Sequence, residues 1–176
     1  ENSNKAEARS LVINLLDKLQ REQIEYTPLV NHLIREVGLY PYIDCSTALW
    51  EDQVVVEAFK ANVGEEKPVT LHSAQSRVLK RLLAGDNIAV SAPTSFGKSF
   101  IIDAFIAIRK PENVVIIVPT IALADETRRR IEHKFSRHYK IITTTDATLA
   151  EANILIFPQE RSFAYIGKLE KIDMLI

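Results

Sequence analysis

Hydrophobic positions along the chain follow two rhythms, and the change falls near residue 65. From about residue 4 to 23 apolar and charged positions alternate with a helical period, and Leu11, Leu15 and Leu19, with Val12 and Leu16, form one stripe. A second helix is predicted around Leu29, Val30, Leu33, Ile34 and Val37, ended by Gly38. Residues 39–45, with Pro41, read as a linker. A third helix is predicted from Ser46 or Thr47 to Val63, burying Leu49, Trp50, Val54, Ala58 and Phe59. Gly64-Glu65-Glu66-Lys67-Pro68 has a breaker at each end and charge between them, which marks a boundary. Residues 1–65 are therefore expected to form a small all-α domain whose stripes serve its own packing ahead of any partner groove.

Beyond the boundary, helical and strand patterns alternate. A helix is predicted over 73–84, with Val78, Leu79, Leu82 and Leu83 inward and Gly85 closing it. Strands are predicted at 88–91, 114–118, 140–144, 154–157 and 173–176, and helices at 98–109, 121–136 and 159–169. The run Val114-Val115-Ile116-Ile117-Val118 has no polar alternation, so that strand is expected to be buried on both faces, as in a parallel sheet covered by helices. The predicted class is α/β over residues 69–176, a doubly wound parallel sheet with its ligand at the strand ends.

One stretch carries chemistry. Ala92-Pro93-Thr94-Ser95-Phe96-Gly97-Lys98-Ser99 lies between a predicted buried strand and an apolar helix. Strand, loop ending Gly-Lys-Ser, then helix is the context of a phosphate-binding P-loop. Such a loop must aim several backbone N–H groups at one point, and Gly97 permits that close approach. The new helix adds its unsatisfied N–H groups and the positive end of its dipole. Lys98 would bring a charge to the β and γ phosphates, and Ser99 a hydroxyl to Mg²⁺. The first position of the usual glycine pattern is Ala92 here. Against this stands a plain strand-to-helix turn capped by Ser95, with Lys98 in solvent, which leaves the crowding of these residue types unexplained.

The totals narrow the classes. The 176 residues carry a net charge of −1, so no global basic field draws nucleic acid. The one cysteine, Cys45, cannot make an internal disulfide; it suits a reducing cytoplasm and is expected to be half-buried. No apolar run reaches the length of a membrane span, and the N-terminus has no signal-peptide pattern, so no membrane partner is expected. His32, His72, His133 and His138 show no metal-ligand spacing and read as surface or structural residues.

With the loop placed, residues 69–176 resemble the first RecA-like domain of a superfamily 2 helicase of the Ski-like or DEAD/DEAH-box type. Leu71-His72-Ser73-Ala74-Gln75 resembles the Q motif, which implies that Gln75 contacts adenine; an ordinary helix residue is the other reading. Residues 92–99 resemble the A-x-T-x-x-G-K-S/T form of motif I, which accounts for Ala92. Pro119-Thr120-Ile121-Ala122-Leu123-Ala124 resembles motif Ia, implying that Pro119 and Thr120 touch a nucleic-acid backbone; a simple helix start capped by Thr120 is the alternative. Pro158-Gln159-Glu160-Arg161 resembles the T-P-E-R motif, with Phe157 in place of threonine and Gln159 inserted, and implies a nucleic-acid contact by Arg161. Thr144-Thr145-Asp146 resembles the short Thr-Gly motif without its glycine. Lys171-Ile172-Asp173-Met174-Leu175-Ile176 resembles the run before the acidic motif, so the chain is expected to be the N-terminal part of a longer helicase, inactive alone.

The resemblance implies ATP and Mg²⁺ as ligands and nucleic acid as partner, DNA ahead of RNA. The Ser-Phe-Gly-Lys-Ser wording and the helical extension resemble the helicase subunits of bacterial anti-phage systems of the Hachiman kind, which implies a nuclease or other defence protein as partner. Arg128-Arg129-Arg130, with Lys134 and Arg137, reads either as a phosphate-contacting patch or as the solvated face of a helix. Lys168 and Lys171 carry the same two readings, and Phe96 and Phe100 are expected to pack. The rival functions are a P-loop ATPase that moves something other than nucleic acid, and a non-catalytic docking module.

Overall fold

A computed structural model describes residues 2–176. The chain forms two compact units, residues 1–62 with 67–101, and residues 63–66 with 102–176. In the first, helices α1 (Asn2–Arg21), α2 (Pro28–Glu36) and α3 (Trp50–Ala58) precede a short antiparallel pair, β1 (Lys60–Ala61) and β2 (Val69–Thr70), and helix α4 (Ser73–Leu83). Val12 and Leu16 of α1, Ile34 of α2, Leu39, Ile43 and Val56 of α3 make its core.

Periodicity named the helices of this unit but misjudged some faces: Leu11 of α1 and Leu29 of α2 are exposed, and α3 is turned. Leu49, Trp50 and Val54 are exposed, Trp50 at 70%, and Asp52 and Val56 turn inward instead. The cause is polar. Arg35 of α2 stands 2.9 Å from the buried Asp52 carboxylate, and an ion pair at a helix interface rotates α3 to face it. Neither oxygen of Asp52 has a donor aligned with it. The helix is also shorter than predicted, because the chain leaves it at Phe59 to enter β1. Cys45, expected half-buried, is exposed.

Gly38 ends α2 with φ 71°, and a Cβ there would lie 2.2 Å from the Ser73 hydroxyl. Its carbonyl accepts the Ser73 N–H at 3.2 Å. Glycine is thus required twice, by the left-handed backbone and by the start of α4 pressed against it.

The second unit holds helix α5 (Lys98–Arg109) from Ile102 onward, β3 (Asn113–Val118), α6 (Ile121–Phe135), β4 (Lys140–Ile142), β5 (Asn153–Pro158), α7 (Gln159–Ile166) and β6 (Met174–Leu175). The sheet runs β4-β5-β3-β6, and every pairing is parallel. Side chains of β3 and β5 alternate between two cores. Val114, Ile116, Val118, Ile154 and Ile156 meet Ile106 of α5 and Ile131 and Phe135 of α6. Val115, Leu155 and Phe157 meet Tyr165 of α7. A strand covered on both sides has no polar positions to spare, which is why its sequence is continuously apolar.

Residues 63–66, expected to be a boundary, are strapped onto α6. Val63 is fully buried, Gly64 (φ 79°) would set a Cβ 2.7 Å from the Phe135 ring, and Glu65 pairs with Lys134 at 2.7 Å. One expected strand is missing. Residues 88–91 pair with no strand among the described residues, and Ala89 and Val90 are exposed. Apolar residues become a buried strand only where ladder partners flank them, and none flanks these.

Candidate nucleotide-binding site

Gln75, in the first turn of α4, is 6% exposed and uses both ends of its amide. Its Oε1 accepts the His72 N–H at 2.8 Å, closing the start of the helix. Its Nε2 donates to the Phe96 carbonyl at 2.8 Å. One N–H and one oxygen lone pair remain, the donor–acceptor pair that the outer edge of an adenine offers to match. Gly97 follows Phe96 with φ 75°, and a Cβ there would lie 2.6 Å from Gln75 Nε2. The left-handed corner and the approach of this amide both require glycine.

Residues Thr94–Phe96 make a single 3-10 turn, with the Phe96 N–H donating to the Pro93 carbonyl at 3.1 Å. Pro93, Thr94 and Ser95 are exposed, whereas Ala92, Phe96, Gly97, Lys98 and Ser99 are half-buried. Lys98 opens α5, and its Nζ donates to the carbonyls of Ala92 at 2.6 Å and Pro93 at 3.0 Å. The ammonium therefore lies within the curl of the loop. First-turn N–H groups such as those of Lys98 and Ser99 have no acceptor inside their helix and carry its positive dipole end. The loop and the first turn of α5 thus carry a cation, a hydroxyl and backbone donors, groups that can hold a phosphate chain.

His72, read as surface or structural, belongs to this neighbourhood. Burial, and then the charge of Arg9, hold its imidazole below the ordinary value of 6.5. Its Nδ1 is buried without a partner, and the Tyr42 ring lies 5.8 Å away. Its sequence signals were its place one residue before a helix and within the stretch 71–75 that resembles the Q motif.

In the second unit, Val118 of β3 stands beside Pro158 of β5. Pro119 and Thr120 therefore leave the sheet next to the start of α7, which carries Arg161. All three are exposed at the carboxyl ends of neighbouring parallel strands. Thr120 caps α6, its Oγ1 accepting the Leu123 N–H at 3.2 Å. Tyr165 of α7 donates to the Ala147 carbonyl at 2.6 Å, and Lys168 to the Thr145 carbonyl at 2.9 Å, so the 144–147 loop is tied down there too. Much of the basic run on α6 is spent internally. Arg128 pairs with Glu132 at 2.8 Å, and Arg130 and Lys134 both hold the buried Asp103 of α5.

A wholly parallel four-stranded sheet with helices on both faces fits a RecA-like domain. Residues 72–176 match the DEAD/DEAH box helicase family, and residues 1–53 match the Anti-bacteriophage protein B N-terminal domain. The chain belongs to the DEAD/DEAH box helicase family. It is 34% identical over 156 residues to Anti-bacteriophage protein B of Escherichia coli, a match that takes in 87% of this chain and 21% of that protein. It is 35% identical over 80 residues to Reverse gyrase 2 of Aeropyrum pernix, covering 44% of this chain and 7% of that one. The chain thus spans about a fifth of the first relative's length. No solved structure matches it.

Proposed function

We propose that this chain is the ATP-binding part of a nucleic-acid-dependent helicase or translocase acting in anti-phage defence in the cytoplasm. In this reading residues 1–65 form a helical extension and residues 69–176 the first RecA-like domain. The observation that carries it is Gln75, whose amide is fastened to the Phe96 carbonyl where a base-reading side chain would meet the phosphate loop. ATP would lie with its base at Gln75 and its phosphates along residues 92–99. Lys98 would exchange the Ala92 and Pro93 carbonyls for phosphate oxygens, and the N–H groups of Gly97, Lys98 and Ser99 would receive the remainder.

The donor set fits Mg²⁺ in part. Ser99 offers a hydroxyl at the mouth of the helix, and among the described residues no cluster of three or more His, Cys, Asp or Glu side chains forms a closed cage. An ion held mainly by phosphates, water and one hydroxyl suits Mg²⁺. When bound, it would neutralise charge gathering on the phosphates during transfer. Nucleic acid, DNA ahead of RNA, would run past Pro119, Thr120 and Arg161, and a nuclease or other defence protein would be the protein partner.

In the full-length protein, Lys98→Ala is expected to lower ATP turnover on the order of 100-fold or more, the usual loss for one preorganised charge at a transition state. A steady-state phosphate-release assay measures it, and wild-type turnover in the variant would remove the mechanism. Stimulation of that turnover by single-stranded DNA or RNA separates a helicase from an ATPase that acts on something else.

A further inference from the structure

Asp103 is the one acid in the otherwise apolar run Phe100–Ile108 of α5, and it is 1% exposed. Both its oxygens are taken. Arg130 Nη1 holds Oδ1, and Lys134 Nζ holds Oδ2 at 3.0 Å. Arg130 and Lys134 lie one turn apart on α6, so two prongs of one helix grip a single carboxylate on another. Lys134 also reaches Glu65 of the strap at 2.7 Å. Two acids and two cations close the cluster in charge.

Apolar side chains of similar size would fill such a space at little cost in stability. Ion pairs add direction instead. Apolar helix faces tolerate small slides and rotations, whereas a forked pair fixes one arrangement. The two helices are not arbitrary. The first turn of α5 carries Lys98 and Ser99, one turn ahead of Asp103, and Thr120 caps the start of α6.

We infer that Asp103, with Arg130 and Lys134, is a positioning device that couples the helix opened by the phosphate loop to the helix opened by Pro119 and Thr120. Through Glu65 the strap at residues 63–66 is tied into it. The inference rests on the ATPase reading above. A displacement begun at the first turn of α5 passes into α6 through the forked pair, where apolar contacts would let it slip.

The test uses the full-length protein carrying Asp103→Leu, Arg130→Met and Lys134→Met together, so that no charge is left buried alone. ATP turnover is measured with and without single-stranded DNA or RNA, and folding by circular dichroism. Basal kcat and the KM for ATP should stay within about twofold of wild type, while the stimulation by nucleic acid falls roughly tenfold. Unchanged stimulation overturns the inference, as does a parallel fall in basal turnover and stimulation, which marks a merely structural role. Should the triple variant not fold, Lys134→Gln, which leaves Arg130 on Asp103, decides by the same two rates. A wild-type protein that no nucleic acid stimulates overturns the function reading itself, a result visible before any variant is made.

Discussion

Lys98 is satisfied before any nucleotide arrives, by two carbonyls of its own loop. Gly97 makes that curl possible. Gly97→Ala would force an L-residue to φ 75° and push a methyl against Gln75 Nε2. The backbone cost alone is about 1–2 kcal/mol. A fluorescent ATP analogue should bind at least several-fold more weakly, and the melting temperature should fall by about 2–4 °C for each kcal/mol of that cost. His72 gives a pH effect of definite sign. Its folded pKa is depressed, so the unfolded chain takes up protons first as pH falls. The stability it supplies is complete above its ordinary value of 6.5 and declines below that, toward the lower folded value. Urea midpoints at pH 7.5 and 5.5 should therefore drop more in wild type than in His72→Asn. Parallel drops would show that another group titrates.

At the level of elements, Thr120 does two things that are separable. Its hydroxyl caps α6, and Thr120→Ala should cost about 1 kcal/mol in a denaturant titration. Thr120→Ser keeps the cap and should restore stability, which leaves any remaining change in nucleic-acid stimulation to the lost methyl. Elements whose signal lies in their own residues were legible in the sequence. The unbroken apolar run of β3 announced a strand covered twice, and α5 spans the predicted 98–109, although the strand expected ahead of its loop is not formed among the described residues. Elements that depend on a partner were not. The third helix was expected to bury Leu49, Trp50 and Val54, but Arg35 pairs with Asp52 on the inner face instead, and residues 88–91 were expected to form a strand although no ladder reaches them among the described residues. Asp103 could have been found, since a lone acid inside an apolar helix seldom lies unpaired.

For the molecule as a whole, charge says how tightly it should hold a polyanion. The chain is nearly neutral, and Arg128, Arg130 and Lys134 are engaged with its own acids. With those three spent, the expected contact falls to Arg161 and its neighbours at the carboxyl ends of the strands. Binding of DNA by this chain should therefore weaken only gently with salt, with a log–log slope of about −1 to −3, compared with about −0.7 for each phosphate neutralised on a single strand. A steep slope in a fluorescence anisotropy titration would mean that cations outside Arg161 and its neighbours take part. Breakers and charges at residues 64–68 marked a boundary, but did not show that burial of Val63 and the Glu65–Lys134 pair would hold residues 63–66 against α6.

Among the described residues strand β6 ends the sheet order, pairing with β3 on one side only, and Leu175 on it is 61% exposed. An open margin of this kind, apolar and unguarded by bulge or proline, offers its free amides and carbonyls to any extended peptide that drifts past. Purified by itself at high concentration, the chain should therefore creep toward oligomers, and a lysine placed at position 175 should slow that creep.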